Sequence, residues 1–197
     1  MKNIIPKDSR YIPFTQQKLC CVPACISMIM YRHKIQLISQ ELLGYHLGLI
    51  VPKEELKLFW NGRTGSKPSA GYGTRINEHR FHPNKIFPKL KIPLKMIFHP
   101  IDGFLNVQEF KKYLVSIERN DKDVAVCFNW SALYGQNYSG GHLSIIDKVN
   151  LRKGEVRLID PEYKAPKWRI VKLEKLKKAM EVHGEDKSGG FWEFLKI

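Results

Sequence analysis

The stretch Gln16-Gln17-Lys18-Leu19-Cys20-Cys21-Val22-Pro23-Ala24-Cys25-Ile26-Ser27-Met28-Ile29-Met30-Tyr31 decides how this chain is read. It opens polar, passes two adjacent cysteines and then turns apolar on almost every side. Proline is at home in the first turn of a helix, where its missing N–H has no partner to lose. A helix is therefore expected over about 23–32, and one that is apolar nearly all round belongs inside a domain. Cys20 and Cys21 then stand at the positive end of a buried helix. That end stabilises a thiolate, so a cysteine there is a candidate nucleophile. Gln16 or Gln17, a few residues upstream, can return beside the sulfur and offer its amide to a developing oxyanion. This is the start of a thiol acyl-transfer site, and it needs a base.

With 197 residues and 43% hydrophobic content, the chain can fill one core, and a single domain is expected. Residues 1–8 lack the continuous apolar run of a secretory signal, and no segment approaches the roughly 20 apolar residues of a membrane span. A cytoplasmic protein is expected on those grounds, although export by a signal-less route would leave no mark. Four cysteines, three of them clustered, are too few for a disulfide scaffold of this size, so reduced thiols fit best. The pattern C-C-x-x-x-C offers no C-x-x-C pair and no nearby histidine at ligand spacing, so no metal is expected. The formal charge of +14 invites a nucleic-acid reading. The lysines and arginines are spread along the chain, however, densest over 63–95 and 164–178, and no RNP-like, zinc-finger or helix-turn-helix pattern accompanies them. Nucleic acid is not the expected partner; the same charge would draw an acidic substrate.

In chain order, residues 1–15 read as an extended lead-in. Ser39 is a candidate N-cap for a helix over 40–46, and 51–56 starts another short helix. From 61 to about 100 the character changes: Gly62, Gly65, Gly71 and Gly73 with Pro68, Pro83, Pro88 and Pro93 predict a basic, loop-rich excursion, ordered by its aromatic and aliphatic residues and able to wall a cleft. Residues 106–118 read as an amphipathic helix with Val107, Phe110, Tyr113, Leu114 and Ile117 on one side. Strands are expected over 123–130, 143–149 and 155–160, with a hairpin turn at 150–154. A short basic helix over 173–182 and a closing strand over 189–195 follow. Helices come first and an antiparallel sheet second, so the expected class is α+β.

His142 is the candidate base. It stands at the mouth of a strand, after Gly140 and Gly141, which leave room for a substrate backbone. If 150–154 forms the turn, Ser144 lies opposite Asp160, and Asp160 is diagonal to His142 on the same face, about 7–8 Å away between backbones. A carboxylate there can accept from one imidazole nitrogen and leave the other facing a thiol. Each residue also has a plainer reading. The cysteines can be inert core thiols, His142 a hydrogen-bonded structural histidine, and Asp160 the acceptor of an Asx-type turn. Cys25 and Cys127 read as packing, and Gly71-x-Gly73 is too short for a phosphate loop.

Taken together, Gln16-x-x-x-x-Cys21-Val22-Pro23-Ala24, then Gly141-His142 opening a strand, then Asp160-Pro161 after the hairpin, resemble the C39-like branch of the papain-like cysteine peptidases. The resemblance spans about residues 11–33 and 139–161, and the middle third carries none of it. It implies a papain-like fold with a buried N-terminal helix on a C-terminal antiparallel sheet, and a thiol hydrolase acting on a peptide or protein without a cofactor. By that resemblance Cys21 is the nucleophile, His142 the base, Asp160 its orienter and Gln16 the oxyanion donor, with Gly141 and Val22 near the substrate. Val22 departs from the glycine usual after the nucleophile and places a β-branched side chain close to where substrate lies. Two other functions fit the same residues: acyl transfer to an amine, as in transglutaminase-like relatives, and non-catalytic peptide binding.

Overall fold

The computed structural model describes residues 6–59, 68–135 and 140–197. Residues 61–67 of the loop-rich excursion, with Gly62 and Gly65, lie outside the described residues. In order, the elements are α1 (Cys21–Arg32), α2 (Gln40–His46), β1 (Ile50–Val51), β2 (Ser69–Ala70), α3 (Pro83–Lys89), β3 (Leu94–Pro100), α4 (Val107–Arg119), β4 (Asp123–Asn129), α5 (Trp130–Tyr134), β5 (Gly141–Asn150), β6 (Glu155–Ile159), β7 (Trp168–Lys172), α6 (Leu173–His183) and β8 (Gly190–Lys196). Six strands form one antiparallel sheet in the order β3-β8-β4-β5-β6-β7. The class is α+β.

Strand alternation divides the core into two layers. Ala125, Cys127, Leu143 and Ile145 face one way, against α1. Val124, Val126, Phe128 and Ile146 face the other, against α4 and α6. The helices differ accordingly. Every residue of α1 from Val22 to Met30 is buried, because the sheet lies on one side of it and residues of α2 and α3 on the other. In α4 the buried residues are Phe110, Leu114 and Ile117, while Val107, expected on that face, is exposed at the helix start. The expected Ser39 cap is present, accepting from Leu42 N–H at 3.1 Å, and Asn106, at the start of the expected helix, caps α4 by accepting from Gln108 and Glu109 N–H at 2.9 and 3.0 Å.

Several elements depart from the sequence expectation. Residues 83–89 and 94–100 are not loop but α3 and β3: Pro83 opens α3, which takes in Pro88, and Pro93 and Pro100 bracket β3. β7 was not expected at all; it is an edge strand with Val171 as its buried residue, which leaves little alternation to detect. The final strand, β8, does more than close the chain, since it pairs with both β3 and β4.

The β5–β6 hairpin carries a bulge. Near the turn Asn150 pairs with Glu155 and Lys148 with Arg157; beyond it Ile146 pairs with Leu158 and Ile145 with Ile159. Asp147 is the extra residue, pushed out of the ladder. Its buried carboxylate accepts from Ser9 Oγ and Arg10 N–H, both at 3.0 Å, and from Arg157 Nε at 2.6 Å. Carried on from the turn without interruption, the register would set Asp160 opposite Ile145. The bulge sets it opposite Ser144 instead, on the side of the sheet that His142 occupies.

Candidate active site

α1 begins at Cys21, two residues ahead of the expected start, so that Pro23 falls within the first turn and Cys20 is the N-cap. No side chain caps this end. The first N–H groups of a helix have no partner within it, so those of α1 are left pointing at whatever lies beyond. What lies beyond is a cavity of about 900 Å³, lined among others by Gln16, Cys21, Val22, Cys127, Gly141 and His142.

The two neighbouring cysteines go separate ways. Cys20 is fully buried with Leu49, Val51 and Phe59, and burial pushes its thiol up to about 12. Cys21 is part-exposed on the cavity wall. The glutamines separate too. Gln16 lines the cavity, whereas Gln17 is exposed and its backbone N–H donates to Gln40. Gln16 is tied to the far side of the site: its backbone N–H donates to Pro161 O at 2.8 Å and its Nε2 to Glu162 Oε2 at 2.8 Å, while its Oε1 is buried with no partner.

His142 and Asp160 meet directly, with His142 Nε2 2.8 Å from Asp160 Oδ1. That leaves Nδ1 for the Cys21 sulfur, which interacts with the ring. Burial works against a charge on this imidazole, but the Asp160 carboxylate and the Cys21 sulfur outweigh it and raise His142 to about 9. Asp160 is 0% exposed. Burial would raise it, yet the bond to His142, the Glu162 N–H at 3.0 Å and the Arg169 cation hold it below the ordinary carboxylate value. The Glu162 contact is the Asx-type turn that the plainer reading of Asp160 predicts; the carboxylate serves the turn and the histidine at once. The ring of His142 packs edge-on against Trp130 and Phe128, with centroids 4.5 and 5.7 Å away.

Gly141, expected to leave room for a substrate backbone, is exposed and lines the cavity. A Cβ there would lie 2.4 Å from the ring of His183, the last residue of α6, so a side chain at this position would displace that ring. Burial lowers His183, so this second imidazole on the cavity wall favours its neutral form. Cys127 lines the cavity, Cys25 is fully buried, and burial raises both thiols.

Arg169 on β7 also reaches the site and escaped the sequence reading. Its Nε lies 3.2 Å from Asp160 Oδ2, an ion pair set off the line of a hydrogen bond. The guanidinium sits over the rings of Tyr134, at 3.9 Å, and Trp130, at 5.2 Å. Only recognition of 168–172 as a strand pairing with β6 would have signalled it.

No protein family matches the sequence, and no curated protein does either. Among solved structures, the chain is similar to a protein from Bacillus anthracis provisionally named a C39-like peptidase. The two share 14% identity over 94% of this chain and 95% of that one, with a TM-score of 0.52. At that identity the likeness is one of fold. Among the described residues no helix is long and apolar enough to cross a membrane, and no group of three or more His, Cys, Asp or Glu side chains is placed to hold a metal.

Proposed function

We propose that this chain is a cysteine peptidase: a thiol-dependent hydrolase of the papain-like, C39-like kind, folded as one domain and acting in the cytoplasm on a peptide or protein. The observation that carries the reading is that Cys21 and His142, drawn from separate parts of the chain, meet beside Gln16 in one cavity, with Asp160 bonded to the ring from behind.

In this mechanism His142 Nδ1 takes the proton of Cys21, and Asp160 holds the imidazolium through Nε2. The sulfur attacks the carbonyl carbon of a peptide bond. The oxyanion accepts from the Cys21 backbone N–H, free at the helix start, and from the Gln16 Nε2–H that Glu162 does not use. His142 then gives its proton to the leaving nitrogen as the C–N bond breaks, and a thioester remains. Water attacks the thioester, His142 takes its proton, and the carboxylic acid departs as the thiol is restored.

The test is labelling by iodoacetamide at about pH 5–6, where an ordinary thiol reacts slowly. Rapid labelling is expected for wild type and Cys20→Ser, and none for Cys21→Ser. His142→Ala is expected to label no faster than a free thiol. Slow labelling of the wild type would leave only the binding-module reading. Product analysis with a peptide library, with and without added amine, then separates hydrolysis from acyl transfer.

A further inference from the structure

The Asp160 carboxylate has a partner on each oxygen. His142 Nε2 holds Oδ1 at 2.8 Å, and Arg169 Nε stands 3.2 Å from Oδ2. The two partners differ in one respect. An imidazole gains and loses its charge as a base works, whereas a guanidinium stays charged. Asp160 is fully buried, so with His142 alone every loss of the imidazole proton would strand an unpaired carboxylate in the interior. The ring would then hold its proton too tightly to hand it to a leaving amine.

We propose that Arg169 is a positioning residue that keeps the Asp160 carboxylate charged and in place through both protonation states of His142, and so frees the ring to cycle. This rests on the reading of His142 as the base.

The structure gives Arg169 a firm seat. Its planar head lies 3.9 Å from the Tyr134 ring centre and 5.2 Å from that of Trp130. Trp130 in turn packs on His142, with centroids 4.5 Å apart. One aromatic pair therefore places both partners of Asp160. The other groups facing the carboxylate and the ring do different work. Tyr134 is partly buried and its phenol is pushed well above its usual range, first by burial and then by Asp160, so it stays neutral. The Lys167 ammonium donates to the Pro161 and Glu162 carbonyls, at 3.2 and 3.1 Å. Glu162 reaches Asp160 through its backbone N–H and spends its carboxylate on Gln16 and the Lys164 N–H. The Cys21 thiol faces His142 from α1, and the Cys25 thiol is buried behind it.

The test compares wild type with Arg169→Met and Arg169→Lys. Arg169→Gln replaces the methionine variant if that does not fold. Two quantities are read on protein shown to be folded by circular dichroism: the titration of the His142 ring by NMR, and the rate of Cys21 alkylation by iodoacetamide against pH. Loss of the guanidinium is expected to move the His142 titration, and the alkaline limb of the alkylation profile, upward by about one pH unit. Arg169→Lys is expected to bring both most of the way back. An unmoved His142 titration in a folded Arg169→Met or Arg169→Gln protein overturns the proposal, since a merely structural arginine would change the melting temperature alone. The ring titration needs no activity. If wild-type Cys21 proves unreactive the peptidase reading fails, while the NMR arm still decides the coupling.

Discussion

Each end of α1 is met by a cluster of the same four residue kinds: a buried aspartate, a histidine, an arginine and a tyrosine. At the N-terminal end Asp160 meets His142, Arg169 and Tyr134. At the C-terminal end Asp123 meets His33 and accepts from Arg32 at 2.5 Å and from the Tyr11 hydroxyl at 2.6 Å. Composition alone would rate them equal. The difference lies in what borders the histidine. His142 has a thiol on its free nitrogen and a cavity of about 900 Å³ in front of it, whereas His33 lies at the C-cap of the helix and Arg32 beside it extends the network to Asp121. Under the proposed function the first cluster serves the chemistry, whereas the second ties the helix to β4.

That contrast can be broken by substitution, and the largest effect is expected at the sulfur. Cys21→Ser should cut peptide hydrolysis by more than about 10³-fold with little change in melting temperature, while Cys20→Ser keeps activity. Asp160→Asn should lower turnover by about 10²–10⁴-fold, read from initial rates against pH. Asp123→Asn should do the reverse: urea unfolding should show a loss of about 1–3 kcal/mol, because the buried partner of Arg32 and His33 loses its charge and only Asp121 is left to pair with Arg32, with Cys21 alkylation preserved below the transition.

The pH dependence sharpens the contrast further. His142 stands at about 9 in the folded protein against an ordinary 6.5. A raised histidine stabilises the fold fully below about 6.5, and that contribution fades as the pH climbs through about 9. Melting temperature is therefore expected to fall across that window, and to fall less in Cys21→Ser, where the ring has lost one of the two partners that raise it. The smallest effect is expected away from both clusters: Ser39→Ala, which removes the α2 cap, should cost about 1 kcal/mol by urea titration and leave alkylation untouched.

Much of this was legible in the residues. The apolar run after Cys21 specified a buried helix, the patterns around Cys127, Leu143 and Leu158 specified three strands, and Gln16, Cys21 and His142 line one cavity with Asp160 bonded to His142 behind it. What escaped had physical causes. β3 hid behind prolines that bracket it, and β7 is an edge strand with little buried surface, so Arg169 went with it. Only the register of Cys21 with Pro23-Ala24 told it from Cys20 in the sequence, while in the fold one residue of rotation sends Cys20 into a packed cluster and Cys21 to the cavity wall. The room at Gly141 likewise depends on His183, some forty positions away in the chain.

Asp147 acts as a spacer that sets the phase between the two arms of the β5–β6 hairpin. Its polar anchors at Ser9, Arg10 and Arg157 hold it outside the ladder, so the hairpin can lose this residue more safely than it can exchange it. Deleting position 147 is expected to keep the pairings on either side as they are, whereas Asp147→Val is expected to enter the ladder and turn Asp160 to the face opposite His142. A shortened hairpin that still works beside a full-length one that does not would mark the spacer as a remote determinant of the site.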